Sequence, residues 1–106
     1  MNTNPDNDIE LHTKINRETA RLPWADLERN FALGTVIFVS PDLDLVDVAV
    51  RISHDDKDSI ARWMADGKIG KVTDLQAQAW TDGAAQLWTS VVSTFVLVQD
   101  EKARLN

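Results

Sequence analysis

The sequence of 106 residues contains no cysteine, only four glycines and three prolines, and no long apolar run. Without cysteine it can form no disulfide, no thiolate nucleophile and no cysteine metal site. No apolar stretch approaches the roughly 18–20 residues that cross a bilayer, so no membrane is expected as a partner. The start, MNTNPDNDIE, has neither a basic nor an apolar leader region, and we therefore expect a cytoplasmic protein without a secretory signal.

The formal net charge of −6 is concentrated in the middle of the chain. Residues 35–56 contain five aspartates against Arg51 alone, which gives this segment −4 of the total. A surface of this sign repels phosphate backbones and anionic lipid, so we expect no nucleic-acid partner. A basic protein patch or a cation remains a candidate for the acidic segment.

The order of apolar and polar residues predicts one α+β domain over residues 8–99, between a flexible N-terminus (1–7) and a charged C-terminal tail (100–106). The expected order is ααββααβ, with about three strands in a small antiparallel sheet and helices packed on one face. The four predicted helices cover about 8–22, 24–33, 55–66 and 73–81. The three predicted strands cover 35–39, 45–52 and 87–99, the last with a bend at Ser93-Thr94.

The predicted strand over 45–52 rests on strict alternation. Four apolar β-branched residues recur at every second position, and the intervening positions include Asp47 and Arg51. Turn residues precede this segment, and two aspartates open the helix that follows it, where acidic side chains favour the helix N-terminus. In this interpretation Asp47 is the one acidic residue of the segment without a structural role.

The best local grouping of titratable residues is His54-Asp55-Asp56, and together with Asp44 and Asp47 it makes a candidate polar site around this strand. A histidine beside carboxylates can serve as an acid, a base or a ligand. The segment nevertheless lacks the alternate ligands, central glycine and terminal glutamate of an oxygen-rich calcium loop. Turn and helix capping explains most of these aspartates, so no metal and no cofactor is predicted.

Catalytic motifs are missing elsewhere. No serine lies in a nucleophile elbow, the glycines are too scattered for a phosphate loop, and two histidines cannot build a three-histidine site. The four tryptophans are better explained by apolar packing, although Trp24, Trp80 and Trp88 are candidates for an interface because indole rings are enriched in binding hot spots.

Several short segments together resemble one known family. They are Thr19-Ala20-Arg21-Leu22-Pro23-Trp24, Leu43-Asp44-Leu45-Val46-Asp47-Val48-Ala49, Asp55-Asp56-Lys57, Gln76-Ala77 with Trp80, and Leu87-Trp88 with Val91-Val92. In this order they are similar to a small bacterial family catalogued as domain of unknown function 2288, over about residues 14–99. The resemblance implies a bacterial source and carries no catalytic residue.

Two functions follow as hypotheses. The first is a non-enzymatic protein-interaction module that can self-associate through an aromatic surface with an acidic rim. The alternative is an enzyme or metal-dependent protein that uses the candidate polar site, which requires those five side chains to converge on one cleft.

Overall fold

The computed structural model describes residues 5–100, with side chains from residue 9 onward. Five α-helices, one short 3-10 helix and five strands alternate along this part of the chain. In chain order they are α1 (Pro5–Glu18), β1 (Ala20–Pro23), the 3-10 helix (Trp24–Leu27), α2 (Glu28–Ala32), β2 (Val36–Val39), α3 (Leu45–Ser53), α4 (Lys57–Ala65), β3 (Ile69–Lys71), α5 (Asp74–Asp82), β4 (Gln86–Val92) and β5 (Phe95–Gln99).

The five strands form one mixed sheet in the order β1-β4-β5-β2-β3. β5 pairs in parallel with β2 and antiparallel with β4, and the remaining two pairings are antiparallel. The α+β class is confirmed. The predicted order ααββααβ, with three antiparallel strands, is wrong in detail because the sheet has two further strands and one parallel pairing.

The segment predicted as the second strand is the helix α3. Five of its side chains are buried, and they come from both the even- and the odd-numbered positions of the predicted alternation: Leu45, Val46, Val48, Ala49 and Val50. The β-branched residues favour a strand only weakly, and burial against the sheet and neighbouring helices outweighs that preference.

Three further differences concern where elements begin and end. α1 begins at Pro5, before the predicted start at residue 8, and stops at Glu18, because residues Ala20–Pro23 form β1 along β4. The segment predicted as one bent strand over 87–99 is the β4–β5 hairpin, which reverses at Ser93-Thr94, where Ser93 has a φ of 55°. β3 was not predicted.

Two apolar cores lie on the two faces of the sheet, so the prediction that helices cover one face is wrong. The first core joins α1, α3 and α4 to one face through residues that include Ile15, Val48 and Leu97. The second joins the 3-10 helix, α2 and α5 to the opposite face and includes Trp24 and Trp80. Burial of these side chains is the main stabilising contribution to the fold.

Other local predictions are confirmed. β2 occupies 36–39 of the predicted 35–39. The helix predicted over 73–81 is α5, and Thr73 and Gln76 form a capping box at its start. Gly34 and Gly67 follow α2 and α4 with positive φ values of 76° and 72°, which glycine adopts without steric cost.

The predicted termini lie largely outside the described part of the chain: only residues 5–7 of the first, which belong to α1, and residue 100 of the second fall within it. The domain bounds 8–99 stay a prediction.

Candidate functional site

Asp44 holds the start of α3. Its Oδ1 accepts hydrogen bonds from the backbone N–H of Val46 at 2.9 Å and of Asp47 at 3.3 Å. This is the N-cap arrangement, in which a carboxylate satisfies amides that the first helical turn leaves without partners. Asp44 therefore caps a helix, whereas the sequence predicted that it would cap a turn.

Asp56 caps α4 in the same way. Its Oδ1 accepts from the Ser59 backbone N–H at 3.2 Å, and its Oδ2 accepts from the Ser59 hydroxyl at 2.8 Å. These two bonds lower the pKa of Asp56, and the positive charges of Arg51 and Arg62 act in the same direction. Its two oxygens are thus engaged at the helix end.

Asp47, His54 and Asp55 have separate positions. Asp47 and His54 line a groove of about 340 Å³ between α3 and α1, together with His12 and Arg51. Asp55 lies in the α3–α4 connection with a φ of 55° and lines a different cleft. The structure brings together two of the five predicted polar-site residues, and within residues 5–100 no group of three or more histidines and carboxylates is arranged to hold a metal ion.

The three candidate interface tryptophans also separate. Trp24 and Trp80 are 1% and 7% exposed, and both belong to the second core. Trp88 keeps 37% of its surface exposed on β4, where its cross-strand neighbour Arg21 places its guanidinium 6.0 Å from the ring centroid. Of the three, only Trp88 presents a ring at the surface of the chain.

An apolar cleft lies beside α4, on the sheet face that α3 also covers. It has a volume of about 440 Å³. One wall comes from α4, the floor from β2 and β3, and the end from the first residue of β5. Its apolar lining consists of Ile37, Ile52, Ile60, Ala61, Met64, Ile69 and Phe95. Ligand pockets in proteins have this size and this predominance of apolar side chains.

Two apolar side chains stand at the mouth of this cleft without cover from the described residues. Met64 is 58% exposed on α4, and Phe95 is 39% exposed at the start of β5. β3, the edge strand that lines this cleft, has only three residues. Contiguous exposed apolar surface of this kind marks binding sites.

The polar groups of the cleft are Lys57, Lys71 and Asp55. Lys57 opens α4, and its Nζ lies 3.9 Å from a carboxylate oxygen of Asp55 in an exposed ion pair. Lys71 ends β3 and sits opposite Ile37 in the β2–β3 ladder. Among residues 5–100, no carboxylate forms an ion pair with Lys71.

Sequence reasoning missed this cleft. The pattern of α4 placed Met64 on the apolar stripe with Ile60 and Trp63, and a stripe is normally interpreted as core. The feature that could have indicated the cleft was the width of that stripe. Ala61 and Met64 make it one row wider than Ile60 and Trp63 alone. Because β3 was not predicted, however, no pattern indicated how much of the stripe the sheet would cover.

The chain forms a small α+β domain, with helices on both faces of a five-stranded sheet and an apolar cleft beside one edge strand. A family model described as "Protein of unknown function (DUF2288)" matches residues 10–100, and the chain belongs to this family. This confirms the resemblance seen in the sequence.

One solved structure is similar along the whole chain. It is the NMR solution structure of PA1075 from Pseudomonas aeruginosa, with 33% sequence identity, a TM-score of 0.80 and full coverage of both chains. No curated protein matches the sequence. Among residues 5–100 no helix is long and apolar enough to cross a membrane.

Proposed function

We propose that this protein is a non-enzymatic interaction module of a bacterial cytoplasm and that it binds a partner protein through the cleft beside α4. The observation that carries the proposal is the apolar cleft with Met64 and Phe95 exposed at its mouth. Covering both side chains would remove apolar surface from water, which is the dominant favourable contribution to most protein association.

A protein surface suits the cleft better than a small ligand. A ligand confined to the 440 Å³ would cover only the part of Met64 that lines the cleft, and Met64 is 58% exposed. An apolar side chain of a partner can occupy the floor while its neighbouring residues cover the mouth. This is the arrangement of an interface hot spot, in which a buried anchor is surrounded by contacts that exclude water.

The catalytic alternative has no comparable support. Asp44 and Asp56 are engaged in helix capping, and Asp55 faces the apolar cleft rather than the groove of Asp47 and His54. A proposal of acid–base chemistry needs titratable groups directed at a shared substrate position. The five predicted side chains do not share one.

A photo-crosslinking residue at position 64 tests the proposal. Benzoylphenylalanine replaces Met64 in the protein made in the cells that naturally produce it, and the matched control carries it at Leu75, which is 84% exposed on α5 beside the opposite sheet face. We expect a discrete crosslinked protein species from position 64 alone. Equal crosslinking from both positions, or none from position 64, would refute the proposed binding surface.

The variant Met64→Gln supplies the second measurement. Glutamine keeps the length and helix propensity of methionine, and at an exposed site it should change the free energy of unfolding by less than about 1 kcal/mol. Partner capture should nevertheless fall. Light scattering of the wild type separates partner binding from self-association, because a dimer that Met64→Gln dissociates would identify a second copy as the occupant.

A further inference from the structure

The cleft has a charge opposite to that of the whole protein. The chain has a formal net charge of −6, yet two of the three charged side chains at the cleft are the lysines Lys57 and Lys71. The lysines lie on different elements, one at the start of α4 and one at the end of β3, and thus flank the apolar lining. Lysine stems can lie along such a lining while their ammonium groups reach the water at its edge.

We infer that the occupant of the cleft is an acidic segment of a partner protein, in which a large apolar side chain enters the cleft and neighbouring carboxylates contact Lys57 and Lys71. This inference rests on the proposed function and specifies the chemistry of the partner. Opposite charges across an interface select partners and fix their register more than they add affinity.

The available charges favour carboxylates in the partner. Asp55 is near Lys57 only, at 3.9 Å, and both side chains are more than four-fifths exposed, so this pair opposes an incoming carboxylate weakly. No carboxylate of residues 5–100 pairs with Lys71. A basic or neutral segment would gain nothing from Lys71, and a basic one would be repelled by both lysines.

A second copy of the chain fits the same cleft less well. Two folded copies would each bring a net charge of −6 into one assembly, and their overall fields would repel. A short segment is governed mainly by charges within about 8 Å at physiological ionic strength, and the charged side chains that line this cleft are Lys57, Lys71 and Asp55.

Three fluorescein-labelled peptides test the inference. All contain the core Leu-Phe-Leu, and they differ only in their flanking residues, which are glutamate, glutamine or lysine. Fluorescence anisotropy with the full chain measures each affinity. We expect the glutamate-flanked peptide to bind about three- to tenfold more tightly than the glutamine-flanked one, as suits two exposed charge contacts. Salt should reduce this preference.

The double variant Lys57→Gln/Lys71→Gln tests which charges are responsible. Its matched control, Lys14→Gln/Arg29→Gln, removes two exposed positive charges from α1 and α2, so both variants change the net charge from −6 to −8. We expect the cleft variant to lose the preference for glutamate flanks and the control variant to keep it. Circular dichroism checks that both variants are folded.

Each other outcome overturns the inference. Equal affinity for the glutamate- and glutamine-flanked peptides, stronger binding of the lysine-flanked peptide, or no binding of the glutamate-flanked peptide contradicts an acidic occupant. So does a preference that survives in the cleft variant. Direct binding of dodecanoate, measured by calorimetry, without any peptide binding would identify a small amphipathic anion instead.

The two proposals can fail separately. If position 64 crosslinks a partner while the peptides show no preference for glutamate, the proposed function stands and the acidic occupant is wrong. If the wild type is a dimer that Met64→Gln dissociates, the cleft is an interface between copies and the acidic partner segment is again wrong.

Discussion

The rings of Trp24 and Trp80 meet edge to face, with centroids 5.0 Å apart and an angle of 62° between their planes. The same Trp24 donates its indole N–H to the Thr81 hydroxyl at 3.2 Å, and Phe31 meets it on another side at 5.6 Å. These contacts join the 3-10 helix and α2 to α5 across one face of the sheet. Edge-to-face pairs of this kind add to the stabilisation that burial already supplies.

Trp80→Ala should lower the free energy of unfolding by about 3–5 kcal/mol, because it removes a buried ring and leaves a cavity against Trp24. Urea denaturation measures the change. The matched control is Trp88→Ala, which removes an exposed ring that contacts Arg21 and should cost about 1 kcal/mol or less. Similar losses in the two variants would contradict the assignment of Trp80 to the core.

Gln99→Met should destabilise the protein by about 1–3 kcal/mol. The buried Gln99 donates through Nε2 to the carbonyls of Ser40 and Leu43, at 2.9 and 2.7 Å, and methionine would leave both acceptors without this donor. Amide exchange at Leu43 should also accelerate, since the loop loses its attachment to β5. The control Gln86→Met, at an exposed strand end, should stay within about 0.5 kcal/mol.

The stability contributed by Asp56 should depend on pH. Its pKa in the folded protein is lower than the ordinary value of 3.8, mainly because of the hydrogen bond from the Ser59 hydroxyl. A lowered pKa means that the contribution is fully present above about pH 4 and is lost as the pH falls through the folded-state value. The melting-temperature difference between wild type and Asp56→Ala should therefore shrink on acidification.

Two further variants make the pH measurement specific. In a Ser59→Ala background, the melting-temperature difference that Asp56→Ala causes should be smaller in the same pH range, because Ser59→Ala removes the largest cause of the lowered pKa of Asp56. Asp58→Ala serves as the control. It removes an exposed carboxylate that lies in the same helical turn but makes no cap hydrogen bond. A pH dependence as large for Asp58→Ala as for Asp56→Ala would contradict the capping explanation.

Ala84→Gly should stabilise the protein by about 1 kcal/mol. Ala84 follows α5 with a φ of 48°, in the left-handed region that glycine adopts more easily than alanine. The control is Ala79→Gly in the exposed interior of the same helix, where glycine should cost about 1 kcal/mol. Thermal denaturation of the two variants should therefore give shifts of opposite sign.

The error over residues 45–52 shows what alternation alone can conceal. Alternation at Val46, Val48 and Val50 also fits a helix in which Leu45, Ala49 and Ile52 are apolar as well. The polar residues were the better indicator: Asp44, Asp47, Arg51 and His54 are spaced by three, four and three positions, which is helical spacing. Asp44 at the first of these positions then fits the N-cap that the structure shows.

The missed strands have different physical causes. β1 is a short edge strand that ends at Pro23, and most of its side chains are exposed, so it lacks an apolar pattern. The β4–β5 turn uses Ser93-Thr94 instead of the asparagine–glycine or aspartate–glycine pairs that predict hairpins, so only a bend could be placed there. β3 has three residues, too few for any period to be visible.

The candidate site was predictable only in its parts. The capping role of Asp56 followed from local chemistry, because acidic residues favour the start of a helix. The cleft depends instead on β3 lying beside β2 and on Phe95 beginning β5, which are separated from α4 in the sequence. Such placements follow from the topology of the sheet, and no local pattern of residues encodes them.

The parallel pairing of β2 with β5 has a consequence for how the chain is made. Val36 lies beside Val96, sixty positions later in the sequence, and β5 occupies the centre of the sheet between β4 and β2. Contacts of such long range close slowly, since the intervening chain must first be ordered. During translation, β2 therefore cannot pair with β5 until residues 95–99 have been synthesised. Both apolar cores remain incomplete until β5 is inserted.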